Sequence, residues 1–131
     1  MIHLKRHMVY VFGPYSADTP EQIQANIDKA QAAGIKLARL GFAPLIPHLN
    51  TAHWDIHAPE ITHDGYMEID LAWAIYADYA YGLDGWWNSK GSIIEVNFFI
   101  ENLTPIFLES PASYEKMREM FLYRQQAMKV Q

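Results

Sequence analysis

Short apolar runs that stop at turn residues alternate with long amphipathic stretches, and this alternation constrains the fold of the chain more than any other feature. The first run, Met8-Val9-Tyr10-Val11-Phe12, ends at Gly13-Pro14. A β-branched and aromatic run of that length reads as a buried strand closing on a turn. Thr19 then suits an N-cap and Pro20 a first helical residue. A helix is expected from Pro20 to Leu40, with Ile23, Ile27, Ala30, Leu37 and Leu40 on one face and Gly34 on the same stripe. Gly41 follows as its C-terminal stop. Residues 42–47 read as a second strand, which Pro44 and Pro47 demote to an edge or an irregular strand. Residues 48–65 are polar and His-rich and read as a long loop. A second helix is expected over 66–77, burying Met67, Leu71, Ala74 and Ile75, and a third strand over 78–83. Ser89 caps a helix to about Asn102, a fourth strand covers 105–108, and a terminal helix covers 113–128 through Met117, Met120, Phe121 and Met128. This order predicts the α/β class, as one domain over 1–131 with a parallel sheet and helices on both faces. Such sheets bind ligands beyond the carboxyl ends of their strands. Chemistry is therefore expected just after Phe12, Ile46 and Leu83.

Composition removes several classes of function. The chain has 131 residues, half of them apolar, enough for a core without covalent staples. It has no cysteine, which excludes disulfides, thiolate nucleophiles and cysteine-bound metal centres. Net charge is -5 and no basic run occurs, so no nucleic acid polymer is expected as partner. No apolar stretch approaches a membrane span, and Met1 to His7 hold no apolar signal segment. The expectation is a cytoplasmic protein with no membrane partner.

Several residues in the post-strand segments could carry chemistry. Gly13 permits close backbone approach, and Tyr15 and Ser16 offer hydroxyls; the alternative is a plain strand-to-helix turn. Ser89, Gly91 and Ser92 crowd the start of a helix with donors, where an anion is favoured. Glu95 lies six residues after Ser89, or roughly 9 Å along a helix axis. Its neighbours Ile93, Ile94, Val96, Phe98 and Phe99 predict a desolvated carboxylate with a raised pKa; an exposed Glu on an amphipathic helix is the competing reading. Asp70 could supply the second carboxylate that glycosidic chemistry uses. Asp78 and Asp84 read as turn or cap residues. His48, His53, His57 and His63 share one stretch, but Pro59 argues against a regular helix there, and surface or hydrogen-bonding roles are favoured over a metal site. Trp54 could stack on a base or pin the loop. Trp86 and Trp87 are either a pocket wall or part of a subunit interface.

Tyr10-Val11-Phe12-Gly13-Pro14-Tyr15-Ser16 resembles the opening strand and loop of the nucleoside 2-deoxyribosyltransferase-like superfamily. The helix running into Leu40-Gly41-Phe42-Ala43-Pro44-Leu45-Ile46-Pro47-His48 is similar in the same way, as are Met67-Glu68-Ile69-Asp70, Asp78 and Thr104-Pro105-Ile106-Phe107. Ser89-Lys90-Gly91-Ser92-Ile93-Ile94-Glu95 resembles the superfamily's Ser-x-Gly-x-x-x-Glu segment. The likeness spans about Val9 to Leu108 and is nearest to small, nucleotide N-glycosidase-like members, several of them phage-encoded.

This resemblance implies a flavodoxin-like, five-stranded parallel sheet, a homo-oligomer, and cleavage of an N-glycosidic bond without a metal or organic cofactor. It puts the nucleophile on Glu95, an assisting carboxylate on Asp70 and a supporting phenol on Tyr10. It puts a phosphate contact on Ser89; Gly13, Tyr15, Ser16, His48, Trp54, Gly91 and Ser92 are expected beside it as substrate contacts from their own positions. The transferases carry an acidic residue shortly before the glycine loop, where this chain has Trp87-Asn88. Asn88-Ser89-Lys90-Gly91 suits a phosphate better than a bare 5′-hydroxyl, because Lys90 and the helix end both favour an anion. The expected substrate is a small-molecule nucleotide or nucleoside, with hydrolysis weighed above base exchange and above binding without turnover.

Overall fold

The computed structural model describes the backbone of residues 5–130 and the side chains of residues 5–127. Met1 to Leu4 and the Met128 side chain, which entered the sequence reading, lie outside that range.

Strand β1 (Met8–Phe12) opens the sheet and helix α1 (Pro20–Leu40) follows it, both with the bounds read from the sequence. Thr19 caps α1 by accepting the Gln22 amide at 3.2 Å. Gly41 ends it at φ 113°, a left-handed conformation that a side chain would strain. Strand β2 (Ala43–Leu45) pairs in parallel with β1 and lies at the edge, where Pro44 costs no ladder bond. The expected long loop is instead built largely of short helices: α2 (Pro47–Asn50), α3 (Trp54–His57) and the first turn of α4 (His63–Ala74). Helix α4 begins three residues before the expected start because Thr62 caps it, accepting the Gly65 amide at 3.1 Å. It also ends earlier than expected. Ile75 therefore falls past its last turn and stands exposed, while Met67 and Ala74 are buried.

Strand β3 (Tyr79–Gly82) pairs with β1, and Asp78 just before it accepts the Met8 amide at 2.8 Å. A 3-10 turn over Trp86–Asn88 leads to α5 (Lys90–Glu101), then β4 (Ile106–Leu108) and α6 (Pro111–Val130). Among the described residues the sheet is four-stranded and parallel, in the order β2-β1-β3-β4. The resemblance led to an expectation of five strands. After β4 the chain runs directly into α6, which packs beside α1 and adds no further strand.

Alternation along β1 divides the core in two. Val9 and Val11 join Ala33, Leu37 and Met117 under α1 and α6. Tyr10 and Phe12 point to the opposite face and pack with Ala74 of α4 and Phe99 of α5. The result is a three-layer α/β sandwich of the flavodoxin-like kind. Its period-two pattern turns Tyr10 towards the helix that carries Glu95.

Candidate active site

A cleft of about 400 Å³ opens beyond the carboxyl ends of β1, β2 and β3. Its size is typical of small-molecule sites, which run roughly 300–1,000 Å³. Three segments form it. Gly13 to Ser16 follow β1, Pro47 and His48 follow β2, and Asn88 to Ser92 follow β3 and open α5. Helix α4 closes the fourth side with His63, Tyr66, Met67 and Asp70.

The floor holds a carboxylate. Glu95 is 6% exposed and lies in the second turn of α5, so the buried reading of this residue is the one the fold realises. Burial pushes its pKa up to about 8, the Tyr10 hydrogen bond opposes that rise, and the nearby Asp70 charge adds to it. Tyr10 donates its phenolic hydrogen to Glu95 Oε2 from within the core. Burial and the two carboxylates raise the Tyr10 pKa well above its usual value, so the phenol remains a donor at every relevant pH. Burial likewise lifts Asp70 to about 6.

The entrance to α5 is rich in donors. Ser89 Oγ accepts the Ser92 amide at 3.2 Å and so fixes the first turn. The Lys90 and Gly91 amides lie in the same turn, where α-helical N–H groups have no intrahelical partner. A Cβ on Gly91 would stand 3.3 Å from Met67 Sδ and 3.6 Å from His63 Nε2. The starts of α4 and α5 therefore converge on one mouth of the cleft.

The opposite end is aromatic and polar. His48 is 5% exposed, and its Nε2 donates to the Pro14 carbonyl at 2.9 Å. Tyr15 packs beside that imidazole with ring centres 5.9 Å apart. The Tyr15 hydroxyl accepts the His53 amide at 3.1 Å, which clips the α2–α3 segment over the β1 loop.

Several buried polar atoms in this cleft have no hydrogen-bond partner within the protein: His48 Nδ1, Tyr66 OH, Asp70 Oδ1 and Ser92 Oγ. Buried polar groups are normally paired, and each orphan costs about 1–3 kcal/mol. Their concentration in one cleft is the arrangement a polar ligand would complete.

Of the residues singled out from sequence, Gly13, Tyr15, Ser16, His48, Asp70, Ser89, Gly91, Ser92 and Glu95 line this cleft, and Tyr10 reaches it through Glu95. Gly13 also answers to packing, since a Cβ there would stand 2.7 Å from Leu83 Cβ. Trp54 begins α3 and stays outside the lining. Trp86 packs edge-on against Phe12, and Trp87 against Trp86, neither of them in the cleft wall. Sequence reading did not single out Thr51, Asp55, His63, Tyr66 and Met67 as lining residues. The missed signal was the Thr62 cap. A helix starting at His63 aligns positions 63, 66, 67 and 70 on one face. Among the described residues, no three His, Asp or Glu side chains group as a metal site, and no helix is long and apolar enough to cross a membrane.

Among solved structures, a 2-deoxyribosyltransferase from the psychrotolerant bacterium Bacillus psychrosaccharolyticus, characterised as a biocatalyst for nucleoside synthesis, shares this fold. The two superpose with a TM-score of 0.56 over 79% of this chain and 72% of the other, at 19% identity. What they share at that identity is the fold. No curated protein matches the chain by sequence. Residues 7–107 match the family model described as a domain of unknown function, DUF4406, and the chain belongs to that family.

Proposed function

We propose that this protein cleaves the N-glycosidic bond of a nucleoside or deoxynucleoside 5′-monophosphate, with Glu95 as nucleophile. The observation that carries the reading is a buried Glu95 held by Tyr10, with the half-buried Asp70 close enough to raise its pKa, at the foot of a cleft with unpaired polar groups. Between pH of about 6 and about 8 this pair holds one proton. Two carboxylates sharing one proton supply one nucleophile and one acid, as glycosidic chemistry requires.

Most of the time that proton rests on Glu95, the weaker acid of the two; the reacting form is the less populated one, with the proton on Asp70 and Glu95 ionised. Glu95 attacks C1′, and the bond between C1′ and the base nitrogen breaks with its electron pair going to the base. Asp70 gives its proton to the departing base. Water then attacks C1′ of the glycosyl ester and releases Glu95, while Asp70 takes up the water's proton. The products are free base and sugar 5-phosphate. The phosphate is assigned to the start of α5, where Ser89, Lys90 and Gly91 favour an anion. These steps need no metal or organic cofactor.

Base exchange is the second reading, favoured by the fold shared with the 2-deoxyribosyltransferase. A second base would then replace water at C1′. The working form is proposed to be a homo-oligomer. This is supported by large apolar side chains left exposed on the adjoining helices α4 and α5, among them Trp73, Ile93 and Ile100.

Incubation with a panel of nucleosides and their 5′-monophosphates, followed by chromatography, tests the reading. Base release from monophosphates that Glu95→Gln abolishes supports hydrolysis. Release only from nucleosides, rising with added acceptor base, moves the assignment to exchange. No base from any substrate removes the catalytic role of Glu95.

A further inference from the structure

The sheet order sets the length and direction of the cleft. Strand β1 lies between β2 and β3, so His48 after β2 and Ser89 after β3 stand on opposite flanks of the Gly13–Ser16 loop. Two strand spacings separate those flanks, roughly 10 Å. Tyr10, on the central strand, holds Glu95 between them. With the phosphate at α5 and C1′ at Glu95, a reading on which this inference rests, the base extends towards His48.

His48 lines that end of the cleft, and the tautomer of its ring is defined. A carbonyl oxygen only accepts, so the bond to Pro14 puts the ring hydrogen on Nε2. Burial lowers the His48 pKa and outweighs the neighbouring Pro14 and Gly13 carbonyls, which favour the protonated ring, so the neutral form is preferred; by geometry only the Pro14 bond is made. Nδ1 is then a bare lone pair, and it is one of the buried atoms without a partner.

We propose that His48 Nδ1 reads the base edge as a fixed acceptor, so that the preferred substrate carries an exocyclic amino group, as cytosine and adenine do. Exocyclic groups project furthest from the ring and are the first to reach a side chain at the end of the cleft. A uracil or hypoxanthine carbonyl in the same place would oppose Nδ1 with its own lone pairs and leave two buried acceptors unpaired. Sites built to hydrogen-bond a substrate group discriminate strongly against an analogue that lacks it.

Calorimetric binding to the full-length Glu95→Gln protein tests this, since that variant cannot turn the ligand over. The probes are two pairs of deoxynucleoside 5′-monophosphates, cytosine against uracil and adenine against hypoxanthine. The amino member of each pair is expected to bind about tenfold tighter or more. Adding His48→Gln keeps an amide donor for the Pro14 carbonyl but removes the acceptor at Nδ1; the preference should vanish. Adding His48→Asn keeps an acceptor near Nδ1 but loses the Pro14 bond; binding should weaken while the preference persists. Equal or tighter binding of the oxo member overturns the proposal, as does a preference that survives in His48→Gln. Should His48→Gln fail to fold, the parent comparison and His48→Asn decide. Cleavage of all four monophosphates by the wild type without preference would leave the cleavage reading intact and remove this one. Preference without base release would do the reverse, and no binding of any probe would remove both.

Discussion

Glu95 is stabilised in the form that its proposed chemistry does not use. Its pKa is about 4.5 in an unfolded chain and about 8 in the fold. The folded protein binds more protons across that window, so the stability from protonated Glu95 is complete below about 4.5. It is lost as pH rises through about 8. Melting temperature is therefore expected to fall from pH 5 to pH 8.5 in the wild type. Glu95→Gln stays neutral and still offers a carbonyl to Tyr10, so its melting curve should be flatter and sit a few degrees higher at the alkaline end. Parallel slopes in the two proteins would contradict the burial argument. The pair also shapes the rate profile. With two carboxylates at about 6 and about 8, kcat/KM should be bell-shaped between those limits. Tyr10→Phe removes the donor that favours ionised Glu95, so the alkaline limb should move to higher pH while the acid limb stays, and activity at pH 7 should drop about tenfold or more. An unmoved profile would reduce Tyr10 to packing. Glu95 and Asp70 were recognisable as candidates because chemical type and spacing are local properties, whereas Tyr10 entered only through the resemblance. Residue pattern alone could not say that Tyr10 points at Glu95, because side-chain direction on β1 depends on which helix covers that face.

At the scale of elements, caps and apolar runs were the most readable features. Strand β1 and helix α1 fell where expected because a β-branched run, a Thr-Pro start and a terminal glycine all act within a few residues. The α2–α3 segment did not, because four-residue helices are too short to show a period. Glycines in the post-strand loops divide by what surrounds them. Gly13→Ala would force a Cβ to within 2.7 Å of Leu83 Cβ, an atom that cannot move without its backbone. A loss of about 1–3 kcal/mol is expected by chemical denaturation. Gly91→Ala meets only side-chain ends, Met67 Sδ, His63 Nε2 and Ser89 Oγ, at 3.3, 3.6 and 4.0 Å. Helix propensity offsets that crowding, so its stability should stay within about 1 kcal/mol of wild type. A Gly13→Ala protein as stable as Gly91→Ala would show that the β1 loop has room the packing denies.

For the whole molecule, the alternation of strands and helices was enough to expect a parallel sheet with helices on both faces. The number of strands rested on resemblance and came out one lower among the described residues, where α6 follows β4. Exposed apolar side chains were beyond sequence reading, since Trp73 and Ile100 look like core residues until the packing is known. Ile100 is 60% exposed on α5. Light scattering should return a multiple of the 15.1 kDa chain mass for the wild type, and Ile100→Glu should lower it towards the monomer. A wild type that elutes as a monomer would remove the assembly.

The bond between Tyr10 and Glu95 joins residues 85 apart in the chain. No local segment can form it, so the reactive carboxylate acquires its setting only when the central strand and α5 have docked. It also lacks a local route to come apart. The Tyr10 amide should exchange its hydrogen for deuterium only on the timescale of global unfolding, while amides near the ends of α6 exchange early. In a protein so arranged, the setting of the carboxylate and the docking of the sheet on α5 are expected to be lost together.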